Sequence, residues 1–210
     1  MKSRVCLIAF LSSLTLVLQA QQASPSTSTK ASSSTNSSTP DPGAITNGVY
    51  RNPSFGFTYK LPFGWVDRTD DMRQDPAASS KSMVLLGVFE RPPDAPGSTL
   101  NSAVVIAAES ASAYPGLKAA AQYFGPLTEV ATAKGLQAVS EPYEFPVDAK
   151  PIVRRDFAGQ VRGLAVQQST LVLLEKGYVV SFTFIASSED EMTELIEGLQ
   201  FGKVRNPSGK

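Results

Sequence analysis

The chain has 210 residues with 19 Lys+Arg, 19 Asp+Glu, a single Cys and no His. That length favours one domain over two, and a hydrophobic share of 42% excludes wholesale disorder. Zero net charge leaves no electrostatic footprint for nucleic acid, and the missing His removes imidazole-based triads and His-ligated zinc.

The first segment reads as an export signal. Lys2 and Arg4 precede residues 5–18 (VCLIAFLSSLTLVL), a mostly apolar stretch diluted by Ser12, Ser13 and Thr15. A helix of those fourteen residues would be about 21 Å long, short of the ~30 Å hydrocarbon core. Cleavage is expected after Ala20, behind polar Gln19, with Ala23 as the second choice and an uncleaved anchor as the alternative. Cys6 lies at the front of the apolar stretch, not behind it as lipid attachment would require. Without residues 1–20 the chain has no Cys, so no disulfide, thiol nucleophile or Cys-ligated metal is expected. The mature protein is expected in the periplasm, at the cell surface or secreted, with no stable membrane span.

Residues 21–47 read as a Ser/Thr/Pro-rich disordered linker. Twelve of the sixteen residues 24–39 are Ser or Thr, and no aromatic lies between Phe10 and Tyr50. Such a stretch buries too little apolar surface to offset the entropy of ordering it. The plain linker is favoured over a glycosylated stalk, the sharper alternative; Asn36-Ser37-Ser38 fits the N-glycosylation pattern, a match close to chance in a Ser-rich tract. Residues 48–203 form the single domain and residues 204–210 a flexible tail.

Within the domain, residues 55–61 alternate with period two and predict a half-buried strand, stopped by Pro62 and Gly64 before Trp65. Residues 83–89 (MVLLGVF) predict a strand buried on both faces, residues 91–97 a loop, and residues 103–108 another strand. Residues 115–134 are helix-prone, and Pro126 is expected to give either a kink or two short helices meeting near Gly125. Residues 152–157, 164–174 and 178–186 read as an antiparallel meander joined by turns at 159–163 and 175–177. A final helix is capped by Ser188 with Glu191 three residues on, and Met192, Leu195, Ile196 and Leu199 form its apolar stripe. The order fits an α+β fold, an antiparallel sheet covered by helices.

Chemistry-bearing candidates are few. Ser79-Ser80-Lys81 could supply a Ser–Lys dyad, but the S-x-x-K spacing is absent and chance proximity is the plainer reading. Asp67, Asp70, Asp71 and Asp75 could hold a hard cation. Arg68 and Arg73 partly neutralise them, the EF-hand pattern is missing, and a solvated loop is favoured. Arg154 and Arg155 must point to opposite faces of a strand, one packing its stem or pairing with a carboxylate, with ligand anchoring as the alternative. Trp65 is core filler or an exposed binding anchor. No catalytic, cofactor-binding or metal-ligating residue is assigned, and the protein is expected not to be an enzyme.

Two stretches resemble the PsbP-like family. They are YRNPSFGFTYKLPFGW at residues 50–65, an aromatic Gly-Phe strand running into a Pro-x-Gly-Trp turn, and KGYVVSFTF at residues 176–184, followed by a Glu-rich helix. The resemblance spans roughly residues 48–201. It implies a PsbP-like α/β/α sandwich used as a non-catalytic binding or assembly module, attached to photosystem II in the photosynthetic members and exported in distant bacterial ones. With no His here, metal contacts made by His in that family have no counterpart. The expected function is an exported module acting on an envelope protein partner. The alternative is a small-molecule or lipid carrier whose aromatic strands line a pocket.

Overall fold

The computed structural model describes residues 39–74, 82–92, 94, 95 and 97–202. The chain opens with a hairpin of β1 (Ala44–Thr46) and β2 (Val49–Asn52), and β3 (Phe57–Lys60) follows antiparallel. A turn at residues 61–65 leads to β4 (Val66–Asp67) and α1 (Thr69–Gln74). Two long strands follow, β5 (Ser82–Phe89) and β6 (Ala103–Ser110). A 3-10 turn at Ala120–Tyr123 runs into α2 (Phe124–Ala133), then β7 (Leu136–Ala138) and β8 (Tyr143–Val147). The meander is β9 (Lys150–Val161), β10 (Leu164–Glu175) and β11 (Tyr178–Ala186), closed by α3 (Glu189–Glu197) and β12 (Leu199–Phe201).

Three hairpins use the same turn. Asn47-Gly48, Arg162-Gly163 and Lys176-Gly177 each hold both residues at positive φ, between 50° and 80°. This is the type I′ geometry, whose twist matches that of the strands it joins.

The strands form two antiparallel sheets. The large one runs β4-β5-β6-β11-β10-β9-β7, with β8 also on β9, and the small one runs β1-β2-β3-β12. Alternation sends Ile106, Leu171, Phe182 and Phe184 to one face of the large sheet, where they meet Tyr50, Phe57, Tyr59, Met192, Leu195 and Ile196. The Phe57 and Phe182 rings meet edge to face, 4.9 Å between centroids. Val166, Val172, Val179 and Phe157 go to the other face, under Tyr123, Phe124, Leu127 and Ala131. The α+β class with an antiparallel sheet therefore holds. Helices alone do not cover it, because one face lies under a second sheet together with α3.

Several boundaries differ from the sequence reading for physical reasons. β1 lies inside the segment read as linker, since the Asn47-Gly48 turn closes a hairpin there. At Pro126 the second expectation fits and the first does not: a 3-10 turn at Ala120–Tyr123 meets α2, and no long helix is kinked. Pro126 sits in the first turn of α2, where its missing N–H would have had no intrahelical partner. Leu199 leaves the helix after Gly198 and pairs with Tyr59 as part of β12.

α1 protects a sheet edge. β5 carries a bulge between Val84 and Leu86. Arg73 donates to both free carbonyls, Nε to Val84 O at 2.8 Å and Nη2 to Leu85 O at 3.2 Å. Arg68 N donates to Gly87 O at 2.8 Å, and Thr69 Oγ1 accepts from Gly87 N at 3.0 Å. A helix thus satisfies the edge that another strand would otherwise seek.

Register also fixes the two ends of the domain. At one, Asp41 N donates to Ser54 Oγ at 2.7 Å, Gly202 N to Gly56 O at 3.3 Å, and Lys176 Nζ to Ser54 O. The described chain enters and leaves there. The far end holds the 61–65 turn, the pairings Val66 with Phe89, Phe89 with Ala103 and Ala103 with Ile185, and both ends of α3.

Candidate functional site

At the far end, Trp65 N donates to Pro62 O at 3.4 Å, and Gly64 takes φ 81°. A positive φ at the third position is what a type II turn requires, and Gly supplies it without strain. Phe63, at the second position, is thrown outward and is 105% exposed. Leu61 and Trp65 on either side are partly buried against the core. Trp65 is thus the packing residue and Phe63 the exposed aromatic. No sequence signal singled out Phe63; the available clue was an apolar residue between Pro and Gly at a turn tip.

α3 lies beside this turn. Lys60 N donates to Gly198 O at 2.9 Å, fixing the helix C-terminus against β3. At the other end Ser188 Oγ accepts from Glu191 N at 3.2 Å, while the Glu191 carboxylate accepts from Ser187 N and Oγ, both at 2.8 Å. Burial pushes the Glu191 carboxyl up, but hydrogen bonds from Ser102 and Ser187 outweigh it and hold the group below its ordinary value. Met192, Leu195 and Ile196 face the core, and the outer face presents exposed Glu189, Asp190, Glu194 and Glu197. None of these four forms an ion pair among the described residues.

At the entry end an open groove of about 500 Å³ runs over the outer face of the small sheet, lined by Thr46, Arg51, Thr58 and the turn after β2. Its wall is fixed by buried Asn52, whose Nδ2 donates to Asp41 O at 3.2 Å and to Tyr50 Oη at 3.0 Å, and whose Oδ1 accepts from Phe55 N at 2.9 Å. Burial pushes the Tyr50 phenol up to about 12, so it remains a donor, here to Pro42 O at 2.6 Å. Among the described residues Arg51 Nη1 makes only long contacts, to Thr46 O at 3.4 Å and Val49 O at 3.5 Å. Among the described residues the groove offers hydrogen bonds and one guanidinium, with no paired nucleophile and base.

The remaining polar clusters bind their own fold. Buried Glu109 accepts from the hydroxyls of Tyr114 and Tyr123, and burial together with the Glu109 charge raises the Tyr123 phenol. Arg154 and Arg155 do part to opposite faces. Arg154 Nε pairs with Asp156 at 2.8 Å with its guanidinium 4.9 Å over the Phe145 ring, while Arg155 reaches Ser140 O, Thr128 Oγ1 and Glu141. Both serve the structure. Asp70 pairs with Arg73, Asp71 with Arg68, and Asp67 Oδ1 accepts from Thr69 N and Oγ1. Asp75, the Ser79-Ser80-Lys81 triplet and the cleavage position at Ala20 lie outside the described residues. Among the described residues no three His, Cys, Asp or Glu gather as a metal site, and no helix is long and apolar enough to cross a membrane.

No family model and no curated protein matches the chain. The chain is similar to solved structures at the level of fold alone. Cyanobacterial PsbP (CyanoP) from Synechocystis is 15% identical, with 73% of this chain and 91% of that one covered and a TM-score of 0.46. LpqN of Mycobacterium tuberculosis, involved in cell envelope biogenesis, is 14% identical, with 78% and 87% covered and a TM-score of 0.40. A Pseudomonas aeruginosa protein of unknown function is also 14% identical, with 76% and 97% covered and a TM-score of 0.39.

Proposed function

We propose that the chain is an exported, non-catalytic binding or assembly module that acts on a protein of the cell envelope. Phe63 carries the reading: a wholly exposed aromatic on a hydrogen-bonded turn, at the end of the domain opposite the chain's entry and exit. A rigid aromatic anchor loses little side-chain entropy on docking and is a common centre of protein interfaces. Export is read from the apolar segment at residues 5–18.

The carrier alternative needs room between sheet and cover. There Phe57, Tyr59, Phe182 and Phe184 are at most 1% exposed, so the rings that were to line a pocket fill the space themselves. The non-catalytic reading draws on the polar clusters, whose carboxylates and guanidinium groups are engaged in holding strands and turns.

A photoreactive phenylalanine analogue at position 63, irradiated in the native envelope, tests the proposal. A discrete protein adduct from position 63 and none from Thr58 in the groove is the expected result. No adduct from either position, together with a native mass spectrum showing a bound small molecule, would replace the binding reading with the carrier.

A further inference from the structure

The acidic face of α3 is unusual for its place. Glu194 and Glu197 stand in the second half of the helix, whose last turn has no basic residue. The helix dipole favours cations there, so both carboxylates go against the local rule. They also lie four and three residues from like charges, Asp190 to Glu194 and Glu194 to Glu197, a spacing that places them side by side on the surface. Nothing in the fold compensates, since neither has a cationic partner among the described residues. Local rules broken without internal compensation point to a demand from outside the fold.

The C-terminal end of the row is tied to the strand that leads into the turn of the exposed aromatic. Gly198, one residue past Glu197, accepts from Lys60 N at 2.9 Å, and Phe63 lies three residues beyond Lys60. At the other end of α3, half-buried Glu191 lies against Ser102, whose carbonyl accepts from the backbone N–H of exposed Glu90, a carboxylate ion-paired with Arg91 at 3.2 Å. An apolar anchor flanked by carboxylates repels an anionic lipid surface and suits a protein with an apolar socket beside Lys or Arg.

We infer that Phe63 and the outer face of α3 form one docking surface for a basic protein partner: the ring enters an apolar socket, and Glu194 and Glu197 face the cations beside it. This rests on the binding-module reading and specifies the chemistry of its partner. The surface is at the end away from where the described chain enters and leaves.

The test uses the full chain carrying the photoreactive analogue at position 63 or, as a control, at position 58, in native envelopes at 50 to 500 mM salt (on the order of a Debye length of 14 to 4 Å). The same experiment is repeated with Glu194→Gln/Glu197→Gln. The adduct from position 63 is expected to fall about tenfold over the salt series and about as much in the double variant at low salt, and to map beside Lys or Arg of the partner. The melting temperature of the double variant should be unchanged or higher, since two repulsions are removed, which separates lost docking from lost folding. An adduct indifferent to both salt and the double variant overturns the basic partner and leaves the binding module standing. Adducts only from position 58, or only to lipid, overturn the surface. No adduct from either position removes the binding module as well.

Discussion

The carboxylate of Asp148 accepts a hydrogen bond from the backbone N–H of Phe201 at 2.6 Å, joining positions 53 residues apart. Gly202 N bonds Gly56 O and Lys60 N bonds Gly198 O, so the intervening Phe201 N–H points away from β3. It would be an open sheet edge. Asp148, in the turn between β8 and β9, closes that edge and ties the small sheet to the large one.

Asp148→Ala is expected to cost about 1 kcal/mol, the worth of one exposed charge-assisted bond. Asp148 also takes φ 51°, which Ala tolerates poorly and Asn well. Asp148→Asn keeps an acceptor and should lose less than half as much. Thermal denaturation ranks the two variants, and faster hydrogen exchange at the Phe201 amide in the Ala variant identifies the bond as the cause.

Thr69 is the hinge of the α1 edge cover. Its hydroxyl donates to Asp67 Oδ1 at 2.5 Å and accepts from the Gly87 N–H at 3.0 Å, in a position 6% exposed. Thr69→Val preserves shape but leaves a buried N–H without an acceptor, a loss of roughly 1–3 kcal/mol. Thr69→Ser retains both bonds and should stay close to wild type. Equal melting temperatures for the Val and Ser variants would show that the hydroxyl is not what holds Gly87.

What the sequence made legible follows from how local each signal is. α3 was readable because Ser188, Glu191, Met192, Leu195 and Ile196 all agree within one short span, and the 178–186 strand because its alternation is unbroken. β8 and β12 were not. Pro142 and Pro146 argue against a strand at 143–147, and Leu199 continues the helical spacing although it belongs to a strand that forms only because β3 lies alongside. β1 is three residues long and means nothing without its partner, even though Asn47-Gly48 is a strong hairpin signal. The far-end surface depends on which loops the register brings together, and residue spacing does not encode that. Phe63 could only be recognised once Trp65 was seen to take the core side of the turn.

Those prolines have a use. Pro146 faces Pro151 across β8 and β9, and neither has an N–H, so this is a non-bonded pair and the backbone of Pro146 points outward. The same parity turns Glu144 outward, with Pro142 two residues before it, so Glu144 alone offers a donor along this free edge. A strand from another molecule finds almost nothing to pair with. Pro142→Thr/Pro146→Thr restores the donors. The double variant should self-associate at concentrations where the wild type is monodisperse by light scattering. An unchanged particle mass would mean that side chains, not the missing donors, guard this edge.

Glu191 links the far end to pH. Its carboxyl sits below its ordinary value of 4.5 in the fold, because Ser102 and Ser187 donate to the charged form against the opposing effect of burial. A depressed folded value means the contribution is fully present above the unfolded value and is lost as pH falls through the folded one. Glu191→Gln removes the charge-assisted bonds at every pH. The melting-temperature gap between wild type and variant should therefore be widest near neutrality and shrink as pH falls through the depressed folded value, where the wild-type group takes up its own proton. A gap constant from pH 7 to pH 3 would mean that Glu191 stabilises the start of α3 by packing alone. If the gap closes as expected, acid loosens the junction of α3 with Ser102 and Ser187 before it reaches the core, because Met192, Leu195 and Ile196 hold the helix by apolar contact.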